Sequence, residues 1–332
     1  MHVVEVKSFG GPEVLRPGVA PDPVAGPGEV VVDVAAADVM FLDAKLRAGW
    51  GQDFFAIRAP YVPGGAVAGV VSAVGPDVDP VWVGRRVATP TAASGIGGGQ
   101  PVGGYAERAT AKVDTLAEVP EGLDLVRAAA LVHDGRTALA VLGQAAVRPG
   151  EWVLVTAAGG GLGTLFVQLA RAAGARVIAA ARGGAKLALA ERLGATAVVD
   201  YDESGWADQV LELTGGAGVH VVFDGAGGKI GRDALGTVVE GGRFLGYGNA
   251  AGGFFNDDAE GVAAPGVTVL TLMDITRADG IDWPALGARA LMAAAAGDFE
   301  VVVGQTFPLD RAAEAHAAIE SRAAVGRTIL TV

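Results

Sequence analysis

The stretch Trp152-Val153-Leu154-Val155-Thr156-Ala157-Ala158-Gly159-Gly160-Gly161-Leu162-Gly163 restricts what this chain can become more than any other segment. An apolar run of strand-forming residues stops at a glycine cluster, and Thr164–Ala170 then reads as a helix. Strand, glycine turn and helix in that order make the phosphate-binding start of a dinucleotide fold. Glycines let the backbone approach a pyrophosphate, and the helix N-terminus offers free N–H groups and the positive end of its dipole. The turn itself reads Ala-x-x-Gly-x-x-Gly at Ala157, Gly160 and Gly163, with Ala158, Gly161 and Leu162 inside it. Glycine turns also close ordinary βα units; it is the position between strand and helix that points to a nucleotide. The turn begins near the middle of 332 residues, so a domain of substantial size precedes it.

Residues 1 to about 119 read as all-β with many turns, including strands at Glu29–Val34, Gly69–Gly75 and Arg86–Ala88, which suggests a barrel or sandwich. Thr91–Gly104 reads as a surface loop. From about Leu125 the pattern changes to helix over Val126–Leu142, interrupted near His133-Asp134-Gly135. A β/α alternation follows: strands Trp152–Thr156, Arg176–Ala181, Ala197–Asp200, His220–Asp224, Arg243–Tyr247 and Val267–Leu270, with helices Gly163–Ala173, Ala185–Leu193, Ser204–Leu213 and Lys229–Val239 between them. Six such strands with right-handed crossovers predict a doubly wound parallel sheet. The tail from Trp283 has two helical stretches and a last strand, Arg327–Val332, expected to return to the first domain.

Composition narrows the partners. Half the chain is hydrophobic, but alanine inflates that figure, and no apolar run is long enough to span a membrane. The N-terminus lacks the order of a signal peptide, so a cytoplasmic location is expected. A net charge of −12 argues against nucleic-acid and anionic-membrane partners. There is no cysteine, which excludes disulfides and thiolate metal sites. The four histidines, His2, His133, His220 and His316, are scattered, and no metal site is expected.

The end of the second strand of the alternation reads Val177-Ile178-Ala179-Ala180-Ala181-Arg182. NAD-specific sites place Asp or Glu here, on the adenosine ribose hydroxyls. Ala181 removes repulsion against a 2′-phosphate, and Arg182 with Lys186 can bind one, so NADPH is the expected cofactor. Gly248 and Asn249, at the carboxyl end of a later strand, are expected beside the nicotinamide, and Gly225, after His220–Asp224, joins the cofactor set. Among the histidines, His316 reads as a packed helix residue, while His133 stands beside Asp134 at the expected helix break.

The ordered motifs resemble the medium-chain dehydrogenase/reductase superfamily, in its zinc-free quinone oxidoreductase branch, over nearly the whole chain. Carrying the resemblance are Phe9-Gly10-Gly11-Pro12-Glu13-Val14-Leu15, Pro63-Gly64 through Gly69-Val70-Val71, Val83-Gly84-Arg85-Arg86-Val87, Gly103-Gly104-Tyr105-Ala106-Glu107 and Gly135-Arg136-Thr137-Ala138. The tail segments Ala315–Arg322 and Gly326–Leu330 belong to the same series. Each is weak alone; their order is specific. The resemblance implies a GroES-like β-barrel domain, residues 1–125 and 273–332, and a Rossmann domain, residues 126–272, with the active site in the cleft between them. It adds Thr137 to the cofactor set and places Lys186, Tyr201 and Arg322 where related NADPH enzymes hold the 2′-phosphate. It also implies a homodimer through the edge strand near Val267–Leu270.

The departures bear on the substrate. Where the family reads Val-Asn-Phe-x-Asp, this chain has Val39-Met40-Phe41-Leu42-Asp43, and Lys45 replaces a common tyrosine. Ala66 stands where the zinc branch has Glu. Met40, Phe41, Trp50 and His133 are the expected substrate pocket, and His133, Lys45 and Tyr105 are the candidate proton donors for developing oxyanion charge. Three functions follow from the resemblance: hydride transfer to a quinone, reduction of an enone, alkenal or enoyl-thioester double bond, or NADPH binding without catalysis. The acceptor is in each enzymatic case a small electrophile.

Overall fold

The computed structural model describes residues 1–52, 57–91, 103–253 and 262–332. They form two compact units, Met1–Arg136 with Trp283–Val332, and Thr137–Asp282. The first boundary thus falls at Arg136, inside a helix, rather than at Leu125, and the second at Asp282 rather than Leu272.

The first unit begins with β1 (His2–Val6), β2 (Leu15–Val19), β3 (Glu29–Val39), α1 (Phe41–Arg47), β4 (Ala66–Val74), β5 (Arg86–Pro90), β6 (Arg108–Lys112) and β7 (Ala117–Glu118). Helix α2 (Leu125–Ala145) runs through the boundary. The second unit holds β8 (Trp152–Thr156), α3 (Gly161–Ala172), β9 (Arg176–Ala181), α4 (Gly184–Arg192), β10 (Ala197–Asp200), α5 (Trp206–Leu213), β11 (Val219–Asp224), α6 (Gly228–Leu235), β12 (Val238–Gly246), β13 (Thr268–Thr271) and α7 (Leu272–Arg277). The chain then returns to the first unit with α8 (Trp283–Ala296), β14 (Val303–Pro308), α9 (Ala312–Glu320) and β15 (Arg327–Thr331).

The sheet of the first unit runs β14-β15-β3-β4-β5-β7, with β6 also on β3. The returning strand β15 pairs antiparallel with β3, Leu330 opposite Ala37, as expected of the tail. β3 is long because it serves several partners, and register shifts against β4 fall between Val31 and Val32 and between Val34 and Ala36. A bulge changes which residues face inward. Val34 therefore shares one core with Ala37 and Val39, although their numbers differ in parity. The second unit is a six-stranded parallel sheet, β10-β9-β8-β11-β12-β13. Its central strands are apolar along their length, as strands covered on both faces must be.

Two expected helices differ. α2 is not interrupted at His133-Asp134-Gly135. Both polar side chains have partners, and Gly135 is there for close packing: a Cβ on it would come within 2.6 Å of the Ala290 Cβ on α8. Gly135→Ala is expected to cost about 1–3 kcal/mol by overpacking, despite alanine's better helix propensity; a urea titration measures it, and a stabilised variant would show that α8 gives way. Helix α6 stops at Leu235 rather than Val239, because Thr237-Val238-Val239 is β-branched and Val238 opens β12.

Candidate active site

The glycine turn lies between β8 and α3. Gly160 N–H donates to the Ala157 carbonyl (3.0 Å), and the first bond of the helix runs from Thr164 N–H to the Gly160 carbonyl (2.9 Å). The N–H groups of Gly161, Leu162 and Gly163 precede that bond and, as at any helix start, point out along the axis. Ala157 takes the left-handed conformation, φ 50°, which is uncommon for a residue with a Cβ. Gly163 has no room for a side chain: a Cβ would stand 2.4 Å from the Ala157 carbonyl oxygen and 2.7 Å from the Ala158 Cα. A Cβ on Gly159 would instead meet the Lys186 stem, 2.6 Å from its Cγ. Lys186, from α4, therefore lies across the glycine turn. Bare backbone, an unpaired helix start and an overlying cation together suit a pyrophosphate-containing ligand.

The strand order reverses between β8 and β11, the point where ligands bind in doubly wound sheets. A buried polar network joins the two strand ends there. The Thr156 hydroxyl donates to Asp224 Oδ1 (2.5 Å) and accepts from Gly225 N–H (3.0 Å) and Ala226 N–H (3.2 Å). Asp224 also accepts from Ala226 and Gly227 N–H. Burial pushes its carboxyl above the usual range, against the pull of these donors. The loop after β12 is tied to the same place: Tyr247 and Gly248 N–H donate to the Asp224 carbonyl, and Ala250 N–H to the Gly225 carbonyl. Gly225, Gly248 and Asn249 thus lie together at the switch point. Thr156 and Asp224, which hold them there, were not among the expected residues; the signal was a carboxylate ending the buried run Val221-Val222-Phe223.

At the end of β9, Ala181 accepts from Tyr201 N–H (3.3 Å), so the turns after β9 and β10 adjoin. This groups Ala181, Arg182, Lys186 and Tyr201 within the second unit. Arg182 is engaged by Asp202 through two oxygens. Arg322 belongs to the first unit, just past α9, in the left-handed conformation (φ 58°). Thr137 is the first residue of the second unit, within α2.

In the first unit, Met40, Phe41 and Trp50 of the expected pocket stand on or beside α1, and His133 stands on α2. Met40 caps the helix, its N–H donating to Asp43 Oδ2 (2.9 Å). Phe41 opens it, the Lys45 ammonium stands 5.2 Å from the Phe41 ring centre, and Trp50, 41% exposed, follows the last turn. The other donor candidates have structural places. The Tyr105 hydroxyl is buried and bonded to His316 Nε2 (2.9 Å). His133 has both ring nitrogens engaged, Nε2 with the Gly65 carbonyl (3.2 Å) and Nδ1 with Arg136 Nη2 (2.8 Å). Arg136 can only donate, so Nδ1 accepts and Nε2 carries the proton. Burial, then the Arg136 charge, lower the His133 pKa to about 3. His133 is therefore neutral at pH 7. Below it, Arg327 binds Asp38 through two oxygens and reaches Asp134 Oδ2 at 3.3 Å. Thr91–Gly104, expected as a surface loop, lies mostly outside the described residues.

Residues 26–121 match the alcohol dehydrogenase GroES-like domain family and residues 161–278 the zinc-binding dehydrogenase family. The chain is 34% identical to a 2-haloacrylate reductase from a Burkholderia species, over 92% of this chain and 91% of that one. It is 32% identical to a quinone oxidoreductase of Pseudomonas aeruginosa, over 98% of each. The structure of Escherichia coli quinone oxidoreductase complexed with NADPH superposes with a TM-score of 0.89, at 26% identity over all of both chains. The protein belongs to the medium-chain dehydrogenase/reductase superfamily, in its quinone oxidoreductase-like branch.

Proposed function

We propose that this chain is an NADPH-dependent oxidoreductase that reduces a quinone. The observation that carries the cofactor is Lys186 lying across the glycine turn beside a β9 end that bears Ala181 in place of a carboxylate. When bound, NADPH supplies the hydride from its nicotinamide; the protein's part is to bind and orient. The N–H groups opening α3 and the positive end of its dipole hold the pyrophosphate. Lys186, Tyr201 and Arg322 hold the 2′-phosphate. The Thr156–Asp224 network keeps Gly225, Gly248 and Asn249 against the nicotinamide half. Of the three donor candidates, Lys45 is the one on the same short segment as Met40, Phe41 and Trp50. A quinone asks little more of the site, because its reduced form takes protons from water. With no cysteine and Ala66 in place of the zinc branch's Glu, the reading is metal-free. A homodimer through the edge strand β13 belongs to the same reading, and light scattering of the eluted protein checks it.

A second reading, reduction of a conjugated C=C bond, is favoured by the similarity to a 2-haloacrylate reductase and by Met40 at a position where the resemblance leads one to expect an amide. NADPH oxidation followed with 9,10-phenanthrenequinone, a 2-alkenal, crotonyl-CoA and 2-chloroacrylate separates the two. Turnover confined to the alkenes sinks the quinone reading, and no turnover with any of them leaves NADPH binding without catalysis. For the cofactor, Lys186→Ala and Arg322→Ala are each expected to raise KM for NADPH about 10–100-fold, the scale of one charge-assisted contact, with KM for NADH unchanged. Equal effects on both cofactors would remove these residues from the 2′-phosphate site.

A further inference from the structure

Asp202 has a place in the cofactor site that neither the sequence motifs nor the family resemblance assign. The turn after β9 carries Arg182 and the turn after β10 carries Asp202. One carboxylate, Asp200, ties them: its Oδ2 accepts from Gly183 N–H (2.9 Å) and its Oδ1 from Asp202 N–H (3.0 Å). The two neighbouring side chains are thereby set face to face. Arg182 Nε stands 2.5 Å from Asp202 Oδ2 and Arg182 Nη2 3.0 Å from Asp202 Oδ1, a fork-to-fork pair that leaves each side chain more than 40% exposed. The pair is held by the backbone of both turns, and it sits next to Ala181 and Tyr201, where the 2′-phosphate would be placed.

We propose that Asp202 is a specificity-determining residue: it holds Arg182 by its fork and so competes with the cofactor's 2′-phosphate, narrowing the preference for NADPH over NADH. This rests on the NADPH reading above. Arg182 offers bidentate recognition either to a carboxylate or to a phosphate, not to both with the same N–H pair. The phosphate carries about −1.5 to −2 charge at neutral pH, so an ionised Asp202 beside it also repels it. With the pair intact, Arg182, which the sequence places in the cofactor set, is withheld. Exposure makes the pair exchangeable rather than rigid, so the effect is a graded bias on cofactor choice and not a block.

The test uses the full chain and two probes, adenosine 2′,5′-bisphosphate and 5′-AMP, titrated calorimetrically. Asp202→Asn is expected to tighten the 2′,5′-bisphosphate about fivefold, the scale of one exposed charge pair, and to leave 5′-AMP unchanged. Arg182→Ala is expected to change little in the parent and to remove most of the gain in the Asp202→Asn background, whereas a simple loss of negative charge would give the same gain in both backgrounds. Kinetically the gain appears as a lower KM for NADPH with kcat unchanged. Bisphosphate binding that is unchanged or weaker in Asp202→Asn overturns the proposal, the weaker result meaning that Asp202 positions Arg182 for the phosphate. If parent and variant alike bind the bisphosphate no better than 5′-AMP, the NADPH reading falls and the proposal falls with it.

Discussion

Replacing Gly163 by alanine is expected to cost the second unit about 3 kcal/mol, the upper end for overpacking, and to raise the dissociation constant for NADPH at least 100-fold. The added methyl would stand 2.4 Å from the Ala157 carbonyl oxygen and 2.7 Å from the Ala158 Cα. Both are backbone atoms of the turn and cannot rotate away. Ala157 is already left-handed, and its carbonyl is fixed by the bond from Gly160 N–H. The strain can be relieved only by moving the first turn of α3 off the end of β8, which displaces the N–H groups proposed to hold the pyrophosphate. Gly160→Ala is the matched control. Its Cβ would meet nothing nearer than 3.4 Å, and its backbone angles are those of an ordinary extended residue, so the fold should keep its parent stability. Urea midpoints and cofactor titrations on both variants decide the point; a Gly163→Ala protein as stable as Gly160→Ala would mean that β8 and α3 are less rigidly joined than their geometry requires.

The second unit was legible in the sequence because its signals are local. Strand and helix have different apolar periods, and each strand ends at or just before a glycine or polar residue, so Trp152–Thr156, Arg176–Ala181 and Ala197–Asp200 fall where expected. The glycine turn was legible for the same reason: its requirement is written in the residues that form it. Helix α1 was missed because seven residues following a run of β-formers are too few to show a helical period. β14 was missed because Gly304 interrupts its alternation. The break expected in α2 came from reading a glycine as a helix end, when its neighbour is the Ala290 methyl from far along the chain. In the site, what escaped is what depends on partners distant in sequence. Thr156 and Asp224 are 68 residues apart, Arg182 and Asp202 20, and Arg327 and Asp38 289. No local pattern announces such pairs. The donor candidates depend on distant partners likewise: His133 and Tyr105 have suitable side chains, and only the fold shows that their polar atoms engage Gly65, Arg136 and His316.

Arg327→Met is expected to destabilise the first unit by about 3–5 kcal/mol, the cost of stranding buried charge, and to do so more at pH 8 than at pH 5.5. Arg327 opens β15 and its guanidinium serves Asp38 on β3 and Asp134 on α2, with Asp43 of α1 in its field. Three buried carboxylates share one cation. Burial therefore outweighs the guanidinium and lifts Asp38 to about 7 and Asp43 to about 6, with Asp134 also raised. The sign follows from linkage. A carboxyl whose folded pKa lies above its unfolded value binds protons more tightly in the native state, so its stabilising contribution is complete below about 3.8 and is lost as pH rises through 6 to 7. Without the guanidinium the carboxyls rise further, and the penalty goes on growing above that window until pH passes their new folded values. Urea midpoints at pH 5.5 and 8 should diverge for Arg327→Met more than for the parent. Adding Asp38→Asn and Asp134→Asn should recover part of the loss at pH 8 and little at pH 5.5. A loss equal at both pH values would mean that the variant suffers from missing packing alone and that the carboxylates find water. The same residues tie β15 and β3 to α2 at the places from which Met40 and His133 project, so the recovered triple variant also reports whether the expected acceptor pocket needs these charges or only their geometry: unaltered acceptor KM at pH 7 would assign them to the scaffold.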